Sequence, residues 1–189
     1  DSTGLEVELD YRPIDDFRLT AGIAYLDSTF ADDYRIGSDS IQPLFALGNL
    51  EGRQDVNSTT DRTFSFAGWR PALSPELTIN FGLVYTMRLD NGTIWEPSIR
   101  FSNVSEYYSF DVNIPETKQD AHTIIDAKLS WMHEQKDFQV DFFVKNLTDE
   151  VVLRRSVVHT QRVNNLPVNS VQANWSDPMT WGVSFKQSF

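Results

Sequence analysis

The last eleven residues read Met179-Thr180-Trp181-Gly182-Val183-Ser184-Phe185-Lys186-Gln187-Ser188-Phe189. Met179, Trp181, Val183, Phe185 and Phe189 alternate with Thr180, Gly182, Ser184, Lys186 and Ser188. A period of two puts successive side chains on opposite faces of an extended chain, so this stretch predicts a strand with one apolar face and one polar face. Wound as a helix, the same residues would mix Lys186 with Trp181 and Phe185 on every side.

Working back from that strand, the alternation recurs. Leu5, Val7, Leu9 and Tyr11 oppose Glu6, Glu8, Asp10 and Arg12. Phe17 to Tyr25, Leu77 to Tyr85, Trp95 to Phe101, Ile125 to Trp131 and Phe138 to Val144 repeat the pattern, with Phe143 out of phase. Pro97 cannot donate to a ladder and predicts a bulge or a strand end at that position. The connections are short at Pro13-Ile14-Asp15-Asp16, at Asp90-Asn91-Gly92 and at Glu134-Gln135-Lys136-Asp137. Between them lie a long connection over about 31–75, a medium one over 105–121 and a long one over 147–177. Asn-Gly suits a tight hairpin turn.

Strict alternation of short and long connections collects every long loop at one end of the sheet. Membrane barrels are built this way, with tight periplasmic turns and free extracellular loops. The fold class expected is therefore all-β, an antiparallel up-and-down transmembrane β-barrel. About seven strands are visible, and a bacterial single-chain barrel closes on an even number. Open edges in lipid leave backbone groups unpaired. The chain is thus expected to be an arc of a larger barrel, or to hide further strands in its long loops; 31–75 could hold a β-hairpin, though its Gly, Asp, Ser and Asn content reads mostly as loop. Aromatics at predicted strand ends (Tyr11, Phe17, Tyr25, Tyr85, Trp95, Tyr107, Tyr108 and Phe138) match an interfacial girdle. A soluble β-sandwich, such as a carbohydrate-binding module, would use the same alternation to bury Leu5, Phe81 and Trp181 between two sheets. One-sided loops and strands of about nine to eleven residues favour the membrane reading.

Composition narrows the chemistry. There is no cysteine, which removes disulfides, Cys metal sites and thiol catalysis. A formal charge of -11 repels phosphate backbones and argues against a nucleic-acid partner. No apolar run approaches the roughly 18 residues of a spanning helix, and a mean hydropathy of -0.36 is compatible with alternating barrel strands.

Four stretches carry a family resemblance. Ser2-Thr3-Gly4-Leu5-Glu6 is similar to an "S-x-G-hydrophobic-E" strand. Gly68-Trp69-Arg70-Pro71-Ala72-Leu73-Ser74-Pro75 resembles a glycine-to-proline lead-in to a descending strand. Phe143-Val144-Lys145-Asn146-Leu147-Thr148-Asp149 resembles "V-x-N-L-T-D", and Pro178 onward resembles the family's final strand. In this order the motifs resemble the C-terminal third of the barrel of a TonB-dependent outer-membrane receptor. Met179, Val151, Val152 and Gln187 depart from the family pattern. The resemblance implies a barrel of roughly 22 strands, of which 1–189 is the C-terminal portion, and a plug domain outside this chain. It also implies the outer membrane of a Gram-negative bacterium, with lipid and lipopolysaccharide around the barrel. TonB would act through the plug to energise uptake of a siderophore-iron complex, a cobalamin or a glycan. Trp181, Val183, Phe185 and Phe189 would form the barrel's C-terminal signal.

Candidate site residues are few. His122, His133 and His159 form no metal pattern, and no Gly-x-Ser-x-Gly elbow or phosphate loop occurs. No enzyme, cofactor or metal is expected. Glu8, Arg18, Glu76, Arg100, Asp126, Lys128, Asp141, Lys145 and Lys186 should face the lumen, as wall ion pairs and plug contacts. Aromatic and Arg groups bind sugars and anionic chelates, which makes Trp69, Tyr107, Tyr108, Arg154 and Arg155, in or near the long loops, the candidate ligand contacts.

Overall fold

The computed structural model describes residues 1–32, 34–37, 63–163 and 166–187. Its main body is one antiparallel sheet of β1 (Ser2–Ile14), β2 (Phe17–Ser28), β5 (Leu77–Tyr85), β7 (Thr93–Val104), β10 (His122–His133), β11 (Phe138–Lys145) and β14 (Thr180–Gln187). They pair in that order, with the short β6 (Met87–Arg88) also on β7. The sheet is an open arc with free edges at β1 and β14. Small pairs occupy the long connections: β3 (Arg35–Gly37) with β4 (Thr63–Ser65), β8 (Tyr107–Tyr108) with β9 (Lys118–Gln119), and β12 (Leu153–Val163) with β13 (Leu166–Trp175).

Register decides which residues share a face. One row runs Leu9, Ala21, Phe81, Phe101 and Ile125. Another runs Tyr11, Leu19, Leu83, Ile99, Ala127, Val144 and Trp181. A third runs Pro97, Leu129, Phe142 and Val183. The alternation of seven separate strands thus adds up to one continuous apolar band. Among the described residues nothing covers it: Leu5 is 69% exposed, Phe81 39% and Trp181 74%. A sandwich needs a second sheet over this face, and among the described residues there is none, which removes the soluble β-sandwich reading. On β10 the band is bounded by Thr123 and His133. At about 3.3 Å per residue that span is roughly 33 Å along the strand. Tilted near 40°, it covers about 25 Å, the height of an outer-membrane apolar band.

One local expectation changes. Pro97 lies inside β7, opposite Leu129, rather than at its end. The β5–β7 ladder stops at Val84–Ser98 and β6 resumes it at Met87–Trp95, so the proline sits at an interruption where its missing N–H does least harm. β5 and β6 are one strand broken there, which reconciles about seven expected strands with eight observed. The short turn expected at Asp90-Asn91-Gly92 is present: Gly92 donates to Leu89 (3.0 Å), Leu89 donates to Thr93 (2.9 Å), and Gly92 adopts φ 79°. That is a turn followed by a glycine bulge. The long connection from 147 to 177 contains the β12–β13 hairpin, so further strands do lie within a long loop.

Candidate functional site

The face opposite the apolar band is polar and concave. Its rows read Asp10, Thr20, Gly82, Arg100 and Asp126, then Arg18, Val84, Ser98, Lys128, Phe143 and Gly182, then Glu96, Ser130, Asp141 and Ser184. All the acids and bases expected in the lumen and placed by this register lie on this face. It partly encloses a cavity of about 910 Å³. The expected wall-to-wall ion pairing is only partly present. Arg18 makes a two-pronged contact with Asp10 (2.7 and 3.1 Å), while Asp126 accepts from the Asn146 backbone (2.8 Å) and Asp141 from Gln139 (2.8 Å) and Ser184 (3.2 Å). Arg100, Lys128, Lys145 and Lys186 have no carboxylate within 4.0 Å among the described residues. The out-of-phase Phe143 is explained here. Its ring covers Gly182, where an added Cβ would stand 2.7 Å from the ring tip, and Lys145 sits 5.8 Å from the ring centre.

At the long-loop end the three long connections interlock into one cap. Phe64 and Phe66, both buried, form its core with Val112 and Ile114, and Phe30, Trp69 and Phe110 pack against them. The first and second connections join through backbone and Asx contacts. Arg70 N–H donates to Asn113 Oδ1 (2.8 Å), Ala72 N–H to Asp111 Oδ1 (2.8 Å) and Leu73 N–H to the Tyr108 carbonyl (2.8 Å). Pro115–Thr117 forms a single 3-10 turn, and the wholly buried Thr117 donates to Val112 O (2.7 Å). The second and third connections join through Tyr107 Oη donating to Leu153 O (3.1 Å), Leu153 N–H donating to Gln119 Oε1 (2.5 Å), and a Ser109–Ser156 hydroxyl contact of 2.7 Å.

Each candidate residue can now be placed. Trp69 sits half-buried among Phe64 and Phe66, with ring centres 5.5 and 5.6 Å away. Tyr107 is buried and belongs to the cap rather than to a girdle; its ring meets His122, on the concave face, at 6.1 Å. Burial raises its phenol above the ordinary range, and the nearby Arg154 charge opposes part of that rise. Tyr108 is half-buried opposite Lys118. Lys118 is held above its ordinary range by the Glu106 carboxylate at 2.9 Å. Arg154 and Arg155 are exposed at the base of β12. The cap therefore brings Tyr107 and Arg154 together, with Trp69 in a separate aromatic cluster. Gln119, Ser109 and Ser156, which hold these elements together, carry no sequence signal, since a polar residue in a polar loop is unremarked until its partner is known. Of the C-terminal signal residues, Trp181, Val183 and Phe185 lie exposed on the apolar face, and Phe189 lies outside the described residues.

Two of the residues expected in a girdle, Trp95 and Phe138, meet Trp131 at the short-turn end of the apolar face. Trp95 stacks on Trp131 (5.9 Å, 15° between planes), and Phe138 meets Trp131 edge-on at 5.1 Å. No group of three His, Asp or Glu side chains converges among the described residues.

A sheet with one lipid-height apolar face, one charged concave face and a one-ended cap matches a known architecture. The family described as TonB dependent receptor-like, beta-barrel, matches residues 1–147. The chain belongs to the TonB-dependent receptor family. This is a family of outer-membrane receptors for nutrient uptake, not of enzymes. Two solved structures share the fold. The ferric yersiniabactin uptake receptor FyuA from Yersinia pestis superposes with a TM-score of 0.70 at 16% identity, over 98% of this chain and 23% of that one. The siderophore receptor PiuA from Acinetobacter baumannii gives 0.63 at 12% identity, over 97% and 21%. This chain of the TonB-dependent receptor family thus spans less than a quarter of the length of either structure.

Proposed function

We propose that residues 1–189 form the C-terminal arc of the barrel of a Gram-negative outer-membrane receptor that imports a scarce nutrient: a siderophore-iron complex, a cobalamin or a glycan. In this reading the rest of the barrel and a plug complete the cylinder against the free edges of β1 and β14. TonB acts on that plug, and lipid with lipopolysaccharide surrounds the apolar band. The observation that carries the proposal is the single unbroken apolar band of about 25 Å backed by a charged concavity. A wall with that geometry separates lipid from a polar interior.

The turns bearing Asp15-Asp16, Gly92 and Glu134-Asp137 are then periplasmic, and the cap is extracellular. A ligand entering from outside meets the cap first, where Trp69, Tyr107, Tyr108, Arg154 and Arg155 are the proposed contacts. Arg100, Lys128 and Lys145 lie deeper along the same concave side, where they would meet the plug or the passing ligand. The experiment is nutrient-limited growth of a strain lacking the receptor gene. Complementation should restore uptake of one nutrient class, and collapse of the proton-motive force should abolish it. Growth and uptake that are equal with and without the receptor for all three nutrient classes would sink the proposal.

A further inference from the structure

The base of the β12–β13 hairpin breaks the rule that strand neighbours face opposite ways. Leu153 pairs with Trp175 and Arg155 with Asn174, so Arg154 is an extra residue in the ladder. Burial around it runs buried at Leu153, exposed at Arg154 and Arg155, and buried at Ser156. Two consecutive exposed residues flanked by two buried ones cannot come from a regular pleat. They follow from a bulge, which re-aims side chains locally.

The flanks of this bulge are pinned. Leu153 N–H donates to Gln119 Oε1 (2.5 Å), Leu153 O accepts from Tyr107 Oη (3.1 Å), and Ser156 Oγ meets Ser109 Oγ (2.7 Å). Both guanidinium groups are left without a carboxylate within 4.0 Å among the described residues. Neighbouring cations of the cap differ: Arg70 holds Glu76 at 2.6 Å and Lys118 holds Glu106 at 2.9 Å. In a chain with a formal charge of -11, two adjacent exposed arginines with no carboxylate partner among the described residues are open to an anion from solution. Arg presents a planar fork that matches carboxylate and phosphate oxygens in pairs. Mounting two forks on a braced bulge reduces the ordering cost of closing them on a ligand.

We propose that Arg154 and Arg155 form a preorganised clamp for a ligand carrying two neighbouring oxyanion groups, such as adjacent carboxylates or phosphates. The inference deepens the receptor reading and rests on it for location only. Two sources share this chemistry: a soluble anionic metal chelate, and the paired phosphates of a lipid A headgroup.

The test uses the full-length receptor in detergent and pyrophosphate as the probe, titrated by calorimetry at low salt. Saturable one-to-one binding is expected. Each of Arg154→Gln and Arg155→Gln should weaken it about tenfold and the double variant about a hundredfold, consistent with hydrogen bonds to charged groups. The paired Lys variants keep both charges and lose both forks, so they should recover only part of the affinity. Heat-modifiable migration on a gel verifies that each variant is folded. Absence of binding at millimolar pyrophosphate, a double variant within threefold of wild type, or full rescue by lysine would each overturn the clamp. Displacement of the probe by lipid A micelles assigns the lipid source, and displacement by ferric citrate assigns the soluble one. Wild-type anion binding without energised uptake would sink the transport reading and leave the clamp standing. Energised uptake without anion binding would sink the clamp alone.

Discussion

Replacing Asn146 tests how the top of the wall is fastened to the cap. Asn146 follows β11, is 6% exposed and adopts φ 52°. Its amide donates to Glu150 O (2.9 Å) and Asp177 O (3.1 Å), while its carbonyl oxygen accepts from Glu150 N–H (3.0 Å) and Thr148 Oγ1 (3.2 Å). One side chain thus ties together the end of β11, the base of the hairpin and the approach to β14. Each such bond is worth about 1 kcal/mol net, and a left-handed backbone costs an ordinary L-residue about 1 kcal/mol more than it costs asparagine or glycine. Asn146→Gly should therefore lose about 3–4 kcal/mol of local stability and Asn146→Ala about 4–5 kcal/mol. Asn146→Asp keeps the two acceptor contacts but turns a buried carboxylate oxygen onto the Glu150 and Asp177 carbonyls, so it should cost at least as much as Asn146→Ala. The assay is hydrogen exchange at peptides covering 147–153 and 174–178 in the folded, detergent-solubilised receptor. At about 1.4 kcal/mol per tenfold, Gly should exchange a few hundred-fold faster than wild type, and Ala and Asp about a thousandfold or more. Exchange within threefold of wild type for Gly and Ala, or for Asp, would refute the fastening role.

Three further outcomes follow from the same geometry. Gly182→Val should destabilise the barrel by about 1–3 kcal/mol through overpacking against Phe143, and Phe143→Ala in the same chain should relieve most of it in a double-mutant cycle read by denaturant unfolding. Leu129→Arg places a charge near the middle of the apolar band and should cost about 2–4 kcal/mol, against about 0–1 for Thr93→Arg at its edge; equal folding yields for the two into lipid vesicles would contradict the band. Burial raises the Tyr107 phenol above its ordinary value near 10, so the folded cap binds that proton more tightly than the unfolded chain. Its stabilising effect is therefore full below pH 10 and lost as pH rises through the folded-state value. Tyr107→Phe should cost about 1 kcal/mol at neutral pH and delete one late tyrosinate step in the 295 nm titration.

Much of the wall was legible because a strand repeats every two residues and each strand carries its own pattern. Leu9, Phe81 and Ile125 belong to different segments, yet each alone marks the lipid face. The alternating connection lengths needed no structure either. Local turn geometry was less readable: Asn91-Gly92 admits more than one hairpin turn, and the neighbour that settles it lies across the ladder. Pro97 looked like a bulge or a strand end because sequence shows the missing donor but not the interruption opposite it. The cap was least legible. Its fastening depends on contacts between residues far apart in sequence, such as Tyr107 with Leu153 and Arg70 with Asn113, and no periodicity records these. The Arg154–Arg155 pair was visible as charge, whereas the bulge that turns both outward emerged only from the register with β13.

The central claim is that one face of this sheet meets lipid while the other lines a polar interior. The chain has no cysteine, so single cysteines placed from Thr123 to His133 can be spin-labelled in the receptor reconstituted in bilayers, with any cysteine outside this chain replaced by serine. Collision with oxygen should peak at 125, 127, 129 and 131, and collision with a water-soluble nickel complex at 126, 128 and 130. The oxygen signal should be greatest near 127 and 129. A profile without this period of two, or with nickel access equal on both faces, would contradict the account.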